Sequence, residues 1–153
     1  AHFRPAYART VPRDFSLKTM NAAHRALQWL TRGNAGWKIG GMPVVELTTI
    51  GRRSGEARST MLTSPLQEGD AYVVVASRGG DDQHPAWFLN LRDNPHVEVV
   101  ISGGPRTPML ARVATSEERA RMWPVIAKRY ANYAGYQTKT KREIPLVLLE
   151  PVE

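Results

Sequence analysis

The sequence predicts an α+β protein: an antiparallel sheet or closed barrel of about six strands, with three helices inserted. Two observations carry this. Short β-branched runs recur along the chain, each bounded by glycine or proline turns, as hairpin-linked strands require. Strict alternation of strand and helix is missing, which argues against a doubly wound nucleotide-binding sheet.

The elements follow in order. Residues 1–13, with Pro5 and Pro12, read as an arm. Residues 14–33 read as a helix, capped by Asp14 or Ser16, with Met20, Ala23, Leu27 and Leu30 at helical spacing and Gly33 and Asn34 as its stop. The period then changes. "MPVVELTTI" (42–50) and "STMLTSPL" (59–66) read as strands, "EGD" as a turn, and "AYVVVAS" (71–77) as a third strand. Pro85 starts a helix that "DNP" ends. "HVEVVIS" (96–102) is a strand, "GGPRTP" a turn and "MLARVA" a strand. Ser116, with Glu117 and Glu118 in the first turn, opens a helix in which Pro124 predicts a kink or early break. "IPLVLLEP" is the last strand. The whole is expected to be a single domain over 1–153, its core spanning 40–152.

Composition narrows the chemistry. The 153 residues contain no cysteine, which removes disulfides, thiolate nucleophiles and cysteine-ligated zinc, and fits a reducing compartment. No apolar run is long enough for a transmembrane helix, and the first residues are too polar and proline-rich for a signal peptide, so a cytoplasmic setting is expected. Net charge is +7, and all of it lies in residues 1–58, where ten Lys/Arg face three Asp/Glu; residues 59–153 hold eleven of each. That asymmetry suits a compact anionic ligand or a membrane surface, and no nucleic-acid partner is expected. The histidines, His2, His24, His84 and His96, form no H-x-x-x-H pair, so no metal site is expected. Serine-hydrolase, Walker and dinucleotide motifs are absent.

Two stretches remain. "TTIGRRSGEAR" carries Arg52, Arg53 and Arg58 around Ser54, with Gly51 and Gly55 freeing backbone N–H groups. Three arginines in so short a turn are either a phosphate or carboxylate holder or a solvated basic turn. "VVVASRGG" is a core strand opening into Ser77, Arg78 and two glycines, which can bring backbone donors and another cation to a ligand.

These stretches, with "HPAWFLNLRDNP", "ATSEERARMWP", "RYANYAGYQ" and "REIPLVLLEP" in the same order, resemble the deazaflavin-dependent nitroreductase family, split-barrel reductases that use coenzyme F420. The resemblance covers roughly 40–152. It implies a split β-barrel and a cofactor with a flat aromatic head, a phosphodiester and an oligoglutamate tail. Matched by position, Arg52, Arg53, Ser54 and Arg58 would hold phosphate and tail. Ser59, Thr60, Met61, Leu62 and Thr63 would run under the ring and offer it backbone groups. Val75, Ala76, Ser77 and Arg78 would border ring and phosphate. Ala86, Trp87, Phe88, Leu89 and Asn90 would bring a helix N-terminus beside the phosphate, with core packing the alternative for Trp87. Tyr130, Tyr133 and Tyr136 would line the substrate pocket, a break at Gly135 freeing Tyr136 as a lid, with plain aromatic packing as the alternative.

The implied reaction is hydride transfer from reduced F420 to a quinone, enone lactone or nitroheterocycle, with Tyr133 or Ser77 as proton donor and solvent as a third candidate. Two alternatives stay open: an FMN-dependent reductase on the same barrel, and a deazaflavin carrier without turnover. A homodimer and a peripheral membrane contact through residues 1–33 are admissible.

Overall fold

The computed structural model describes residues 38–152. The expected arm and the helix over 14–33 lie outside the described residues. The described residues form a curled antiparallel sheet with three helices, an α+β half-barrel. Its strands are β1 (Lys38–Ile39), β2 (Met42–Ile50), β3 (Ala57–Thr63), β4 (Leu66–Glu68), β5 (Ala71–Val75), β6 (His96–Ile101), β7 (Arg106–Val113) and β8 (Leu146–Pro151). The helices are α1 (Ala86–Asp93), α2 (Ser116–Arg129) and α3 (Ala131–Thr138).

Strand order is β1-β2-β6-β7-β8-β5-β4, with β3 pairing only β2. Leu47 pairs with Thr60 on one side and Val99 on the other, and Val74 pairs with Val147. β3 and β4 are therefore sheet edges that follow one another in the chain. They meet at buried Ser64, whose hydroxyl donates to Leu66 O at 3.0 Å and Val73 O at 2.7 Å. No ladder closes β3 onto β4 or β5, so the barrel is split there.

The unbroken apolar runs "VVV" and "LVLL" have a structural reason: β5 and β8 are covered on both faces. Successive strand residues point to opposite sides. Val74, Val147 and Leu149 enter a lumen core with Val45, Leu47, Val97 and Val99, plugged at one end by Phe88 and Leu91 of α1. Val73, Val75, Leu146 and Leu148 face a second core with Met122 and Ile126 of α2 and Tyr133 of α3. Each fully buried aliphatic side chain contributes roughly 1.5–3 kcal/mol.

Several boundaries differ from the sequence expectation. The stretch expected as one strand over 59–66 begins earlier, at Ala57, and breaks at Ser64–Pro65, where the chain turns the corner into β4. β7 begins at Arg106, inside the expected turn, and contains Pro108. The proline is tolerated because the first rung to β8 is Met109↔Pro151, so its missing N–H removes no bond on that side. The cap of α2 is Thr115, one residue before the expected Ser116: its hydroxyl accepts from Glu118 N at 3.2 Å, and Glu118 Oε1 accepts from Thr115 N at 2.9 Å. α2 does not end early at Pro124. Met122 and Ile126, buried on either side of it, hold the helix to Arg129, and the break falls at Tyr130 (φ −132°, ψ 91°).

Candidate active site

The basic turn joins β2 to β3. Gly51 N donates to Glu56 O at 2.7 Å and Gly55 N to Gly51 O at 2.8 Å, so both glycine amides are used inside the turn. This corrects the expectation that they are free for a ligand. Gly51 is required for another reason: a Cβ there would stand 2.7 Å from Ser54 Oγ and 3.2 Å from Glu56 O. The arginines divide the work. Arg58 pairs with Glu56 at 3.1 Å and reaches Ser54 Oγ at 3.4 Å. Arg52 donates from both its backbone N and Nη1 to Asn90 Oδ1, each at 3.1 Å. Arg53 is exposed and makes no hydrogen bond or ion pair among the described residues.

Asn90 is buried at 5 % exposure, and its Nδ2 donates to buried Thr49 Oγ1 at 3.2 Å. Its carboxamide thus ties α1 to β2 and to the turn. Beside it, a cleft of about 180 Å³ opens between Arg52 and the α1 residues Leu89, Arg92 and Asp93. Trp87 lies half-buried against the lumen core, edge-on to Phe88 with ring centres 6.4 Å apart. Pro85 caps α1. By position the Ala86 and Trp87 amides have no intrahelical acceptor.

β3 supplies an edge. Thr60 and Leu62 share the lumen face of Leu47 and Val45, whereas Ser59 lies on the other face, its hydroxyl 2.7 Å from that of Thr48. Because β3 pairs with β2 alone, alternate N–H and C=O groups along its outer edge are left without a strand partner.

After β5 the chain enters a strained loop. Val75 and Ala76 are buried, Ser77 is half-buried, and Arg78, Gly79 and Gly80 have φ of 46°, 65° and 88°. Left-handed backbone at arginine costs on the order of 1 kcal/mol or more. A Cβ on Gly79 would meet nothing within 4 Å; one on Gly80 would stand 2.7 Å from Tyr136 O. The loop therefore packs on α3 at Gly80 and is open at Gly79. Arg78 Nη1 donates to Gln83 Oε1 at 3.2 Å.

The three tyrosines come together around Tyr133. Its ring meets Tyr130 and Tyr136 edge-on, at 6.4 and 6.1 Å. Its hydroxyl lies 3.2 Å from Thr63 Oγ1 and donates to Met42 Sδ at 3.7 Å. Burial pushes its pKa above the usual tyrosine value, so the group stays protonated. The expected break at Gly135 does not occur: α3 runs through it, and Tyr136 is seated on Tyr133 with Lys139 Nζ 5.9 Å from its ring centre, not freed as a lid.

The structure thus joins Arg52 to Asn90, Thr63 to Tyr133, and the Arg78 loop to Tyr136; Arg58 bonds Glu56 and Ser54 within its own turn. Sequence reasoning missed Arg142, which donates to the carbonyls of Ala76, Ser77 and Asp81 from the segment before β8. The only hint was an arginine ending the basic run "KTKR" with no acid before it.

The donor set fits a flat polyanion: an exposed arginine, two cationic loops, each with a left-handed glycine facing open space (Gly55 in the β2–β3 turn, Gly79 after β5), and an unpaired strand edge. Among the described residues no group of three or more His, Asp or Glu could hold a metal ion.

The chain is similar to known reductases in sequence and in fold. The chain is 38% identical over 130 residues to an F420H(2)-dependent quinone reductase of Mycobacterium tuberculosis, covering 82% of this chain and 86% of that protein. It is 40% identical to a solved F420-H2 dependent reductase (FDR-A), with a TM-score of 0.62, covering 71% of this chain and 94% of the other. A solved structure described as a domain-swapped dimer is 34% identical, with a TM-score of 0.62 over 84% of this chain and 99% of that one. The haem storage protein HutZ of Vibrio cholerae, 13% identical with a TM-score of 0.55 over 88% and 91% of the two chains, shares the fold alone. The family model for F420H(2)-dependent quinone reductase matches residues 21–151, and the chain belongs to that family.

Proposed function

We infer that this protein is an oxidoreductase that transfers a hydride from reduced coenzyme F420 to a quinone. The observation that carries the reading is the contact of the Tyr133 hydroxyl with Thr63: it sets an aromatic cluster, buried at Tyr133 and half-buried at Tyr130 and Tyr136, against the end of the β3 edge strand, which begins at the basic turn.

The bound deazaflavin supplies the hydride; the protein binds, orients and excludes water. Arg53, Arg58, Ser54 and Arg78 hold phosphate and tail, with the Ala86 and Trp87 amides beside them. Arg52 and Asn90 act one step back: their mutual bonds fix the turn on α1. The segment Ser59–Thr63 offers its unpaired edge to the ring, and Val75–Ser77 borders it. Tyr130, Tyr133 and Tyr136 form the wall against which a flat acceptor lies, since aromatic faces favour stacked or edge-on contact. The acceptor oxygen that gains charge needs a proton. Tyr133, kept neutral by burial, and Ser77, whose hydroxyl has no side-chain partner among the described residues, are the donors.

Titration with reduced F420 and with FMN, followed by addition of a quinone, tests this. Expected are preference for F420, weaker binding in Arg53→Ala, and quinone-dependent oxidation. Preference for FMN, or no binding, overturns the cofactor assignment; binding without oxidation by any quinone, enone lactone or nitroheterocycle means a carrier.

A homodimer belongs to the same proposal, supported by the relative solved as a domain-swapped dimer, and light scattering decides it. A cytoplasmic protein that touches the membrane through residues 1–33 is supported by the basic charge and Trp29 of that stretch. Loss of binding to anionic vesicles on removing the stretch is expected. Among the described residues no helix is long and apolar enough to cross a membrane.

A further inference from the structure

The segment between α3 and β8 carries a guanidinium that uses its whole fork. Arg142 Nε donates to Asp81 O at 2.7 Å, Nη2 to Ser77 O at 2.8 Å, and Nη1 both to Ala76 O and to His84 Nδ1, each at 3.1 Å. Its own backbone is fixed in turn: its carbonyl accepts from Gln137 Nε2 at 2.8 Å, and Gln137 Oε1 accepts from Arg119 Nη2 and Ile144 N. The arginine is thus anchored to the tyrosine helix and grips the loop that follows β5.

The grip has a directional consequence. In a trans peptide the C=O and the next N–H point opposite ways. Drawing the carbonyls of Ala76, Ser77 and Asp81 toward Arg142 turns the N–H groups of Ser77, Arg78 and Asp82 away from it. None of those three amides has an acceptor among the described residues. A positive charge behind the peptide groups also polarises them, which strengthens the outward N–H donors.

We propose that Arg142 is a positioning residue for the cofactor pocket, a latch that turns the amides of Ser77, Arg78 and Asp82 outward to meet the anionic cofactor, and that His84 closes the latch only when neutral. The proposal rests on the F420 reading above.

The role of His84 follows from donor and acceptor chemistry. Arg142 has only donors, so His84 Nδ1 must accept and the ring must be neutral with its proton on Nε2. Facing the ring are Arg142 from the linker, Arg92 from α1 and the Phe88 ring at 4.7 Å, while Asp81 and Asp82 from its own loop act on Arg142. Burial first, then Arg142 and Arg92, depress its pKa below the usual imidazole value. The latch is therefore closed at neutral pH and opens as pH falls through that lowered value, when a second N–H would oppose the arginine.

Hydrogen exchange on the cofactor-free protein, paired with reduced-F420 titration, tests this. Arg142→Lys keeps the charge but cannot span the fork. It should cut protection of the hydrogen-bonded loop amides of Gly80, Asp81 and Gln83 and weaken F420 binding, each about tenfold or more, while the β2–β6 ladder keeps its protection. His84→Asn places a non-titrating acceptor where Nδ1 stood. It should keep the loop protected as pH is lowered below the usual imidazole range, through which the wild type loses protection and affinity. Comparing proteins at one pH cancels ionisations of the cofactor itself. Wild-type protection and affinity in Arg142→Lys, or an acid loss that persists in His84→Asn, overturns the inference. If the lysine variant does not fold, the His84→Asn pH series still decides. Failure of the wild type itself to bind F420 overturns the functional reading instead.

Discussion

Asn90 offers the most direct test of how the basic turn is held. Asn90→Ala removes three hydrogen bonds at 3.1–3.2 Å: two accepted from Arg52 and one donated to Thr49. Neutral bonds are worth about 0.5–1.5 kcal/mol, and those to charged groups about 1.5–3. Arg52 is exposed, which puts its share at the low end, but Thr49 is 0% exposed and would keep an unpaired hydroxyl. The sum is about 2–4 kcal/mol. For a chain of this size each kcal/mol lowers Tm by about 2–4 °C, so a fall of about 4–16 °C is expected. Asn90→Asp separates the strut from mere volume. One carboxylate oxygen keeps Arg52, now as an ion pair, and the other can accept from the Thr49 hydroxyl, so most of the stability returns. Thermal unfolding of the three proteins, with reduced-F420 titration alongside, gives the comparison. If Asn90→Ala melts within about 1 °C of wild type with unchanged affinity, the turn is positioned by something other than Asn90.

Other outcomes follow from the same contacts. Tyr133→Phe should lower kcat for quinone reduction with little change in F420 affinity. It should also remove an alkaline loss of stability, because the raised Tyr133 pKa stabilises the fold below pH ~10 and that contribution is lost as pH rises through the folded value; unfolding from pH 8 to 11 checks this. Gly80→Ala drives a Cβ to 2.7 Å from Tyr136 O at φ 88° and should cost about 1–3 kcal/mol, whereas Gly79→Ala meets open space and should cost about 1 kcal/mol of backbone strain. Equal melting temperatures for the two would refute the packing of the loop on α3. Glu118, held by Arg112 at 2.7 and 3.0 Å, has its pKa lowered to about 2. Its stabilisation is present above the unfolded value near 4.5 and is lost as pH falls toward 2; acid unfolding of Glu118→Gln should show a shallower decline.

The elements were legible where one physical signal dominated. α1 was readable because Pro85 and "DNP" bracket a short apolar repeat, and β2 because nothing in "MPVVELTTI" favours any other period. The misplacements have one cause: packing outweighed a local signal. Pro124 should have disturbed α2, but Met122 and Ile126 are buried around it. Gly135 should have ended α3, but the edge-on rings of Tyr133 and Tyr136 span it. In the site, Arg53 and Arg78 were readable as cations on loops. Arg142 was not, because its four partners lie 58 to 66 positions earlier in the chain and three are backbone carbonyls, which no side-chain pattern encodes.

The arginines also show why counting charge in a sequence misstates a site. Arg52 and Arg142 spend their guanidiniums on Asn90 and on loop carbonyls, whereas Arg53 has no such partner. The internally bonded pair still contributes positive potential, but its larger effect is to fix backbone that would otherwise have to order when ligand arrives. Ordering costs on binding run to about 0.5–1.5 kcal/mol for each rotamer-rich side chain alone, so groups set in advance raise affinity without touching the ligand. The same logic applies to charge that develops during reaction, where fixed donors need no rearrangement. Lysine at position 142 would preserve the net charge of +7 and lose the fork, whereas at position 52 the backbone bond to Asn90 would remain. Cofactor affinity should therefore fall in Arg142→Lys, while Arg53→Lys, whose role is charge alone, stays close to wild type.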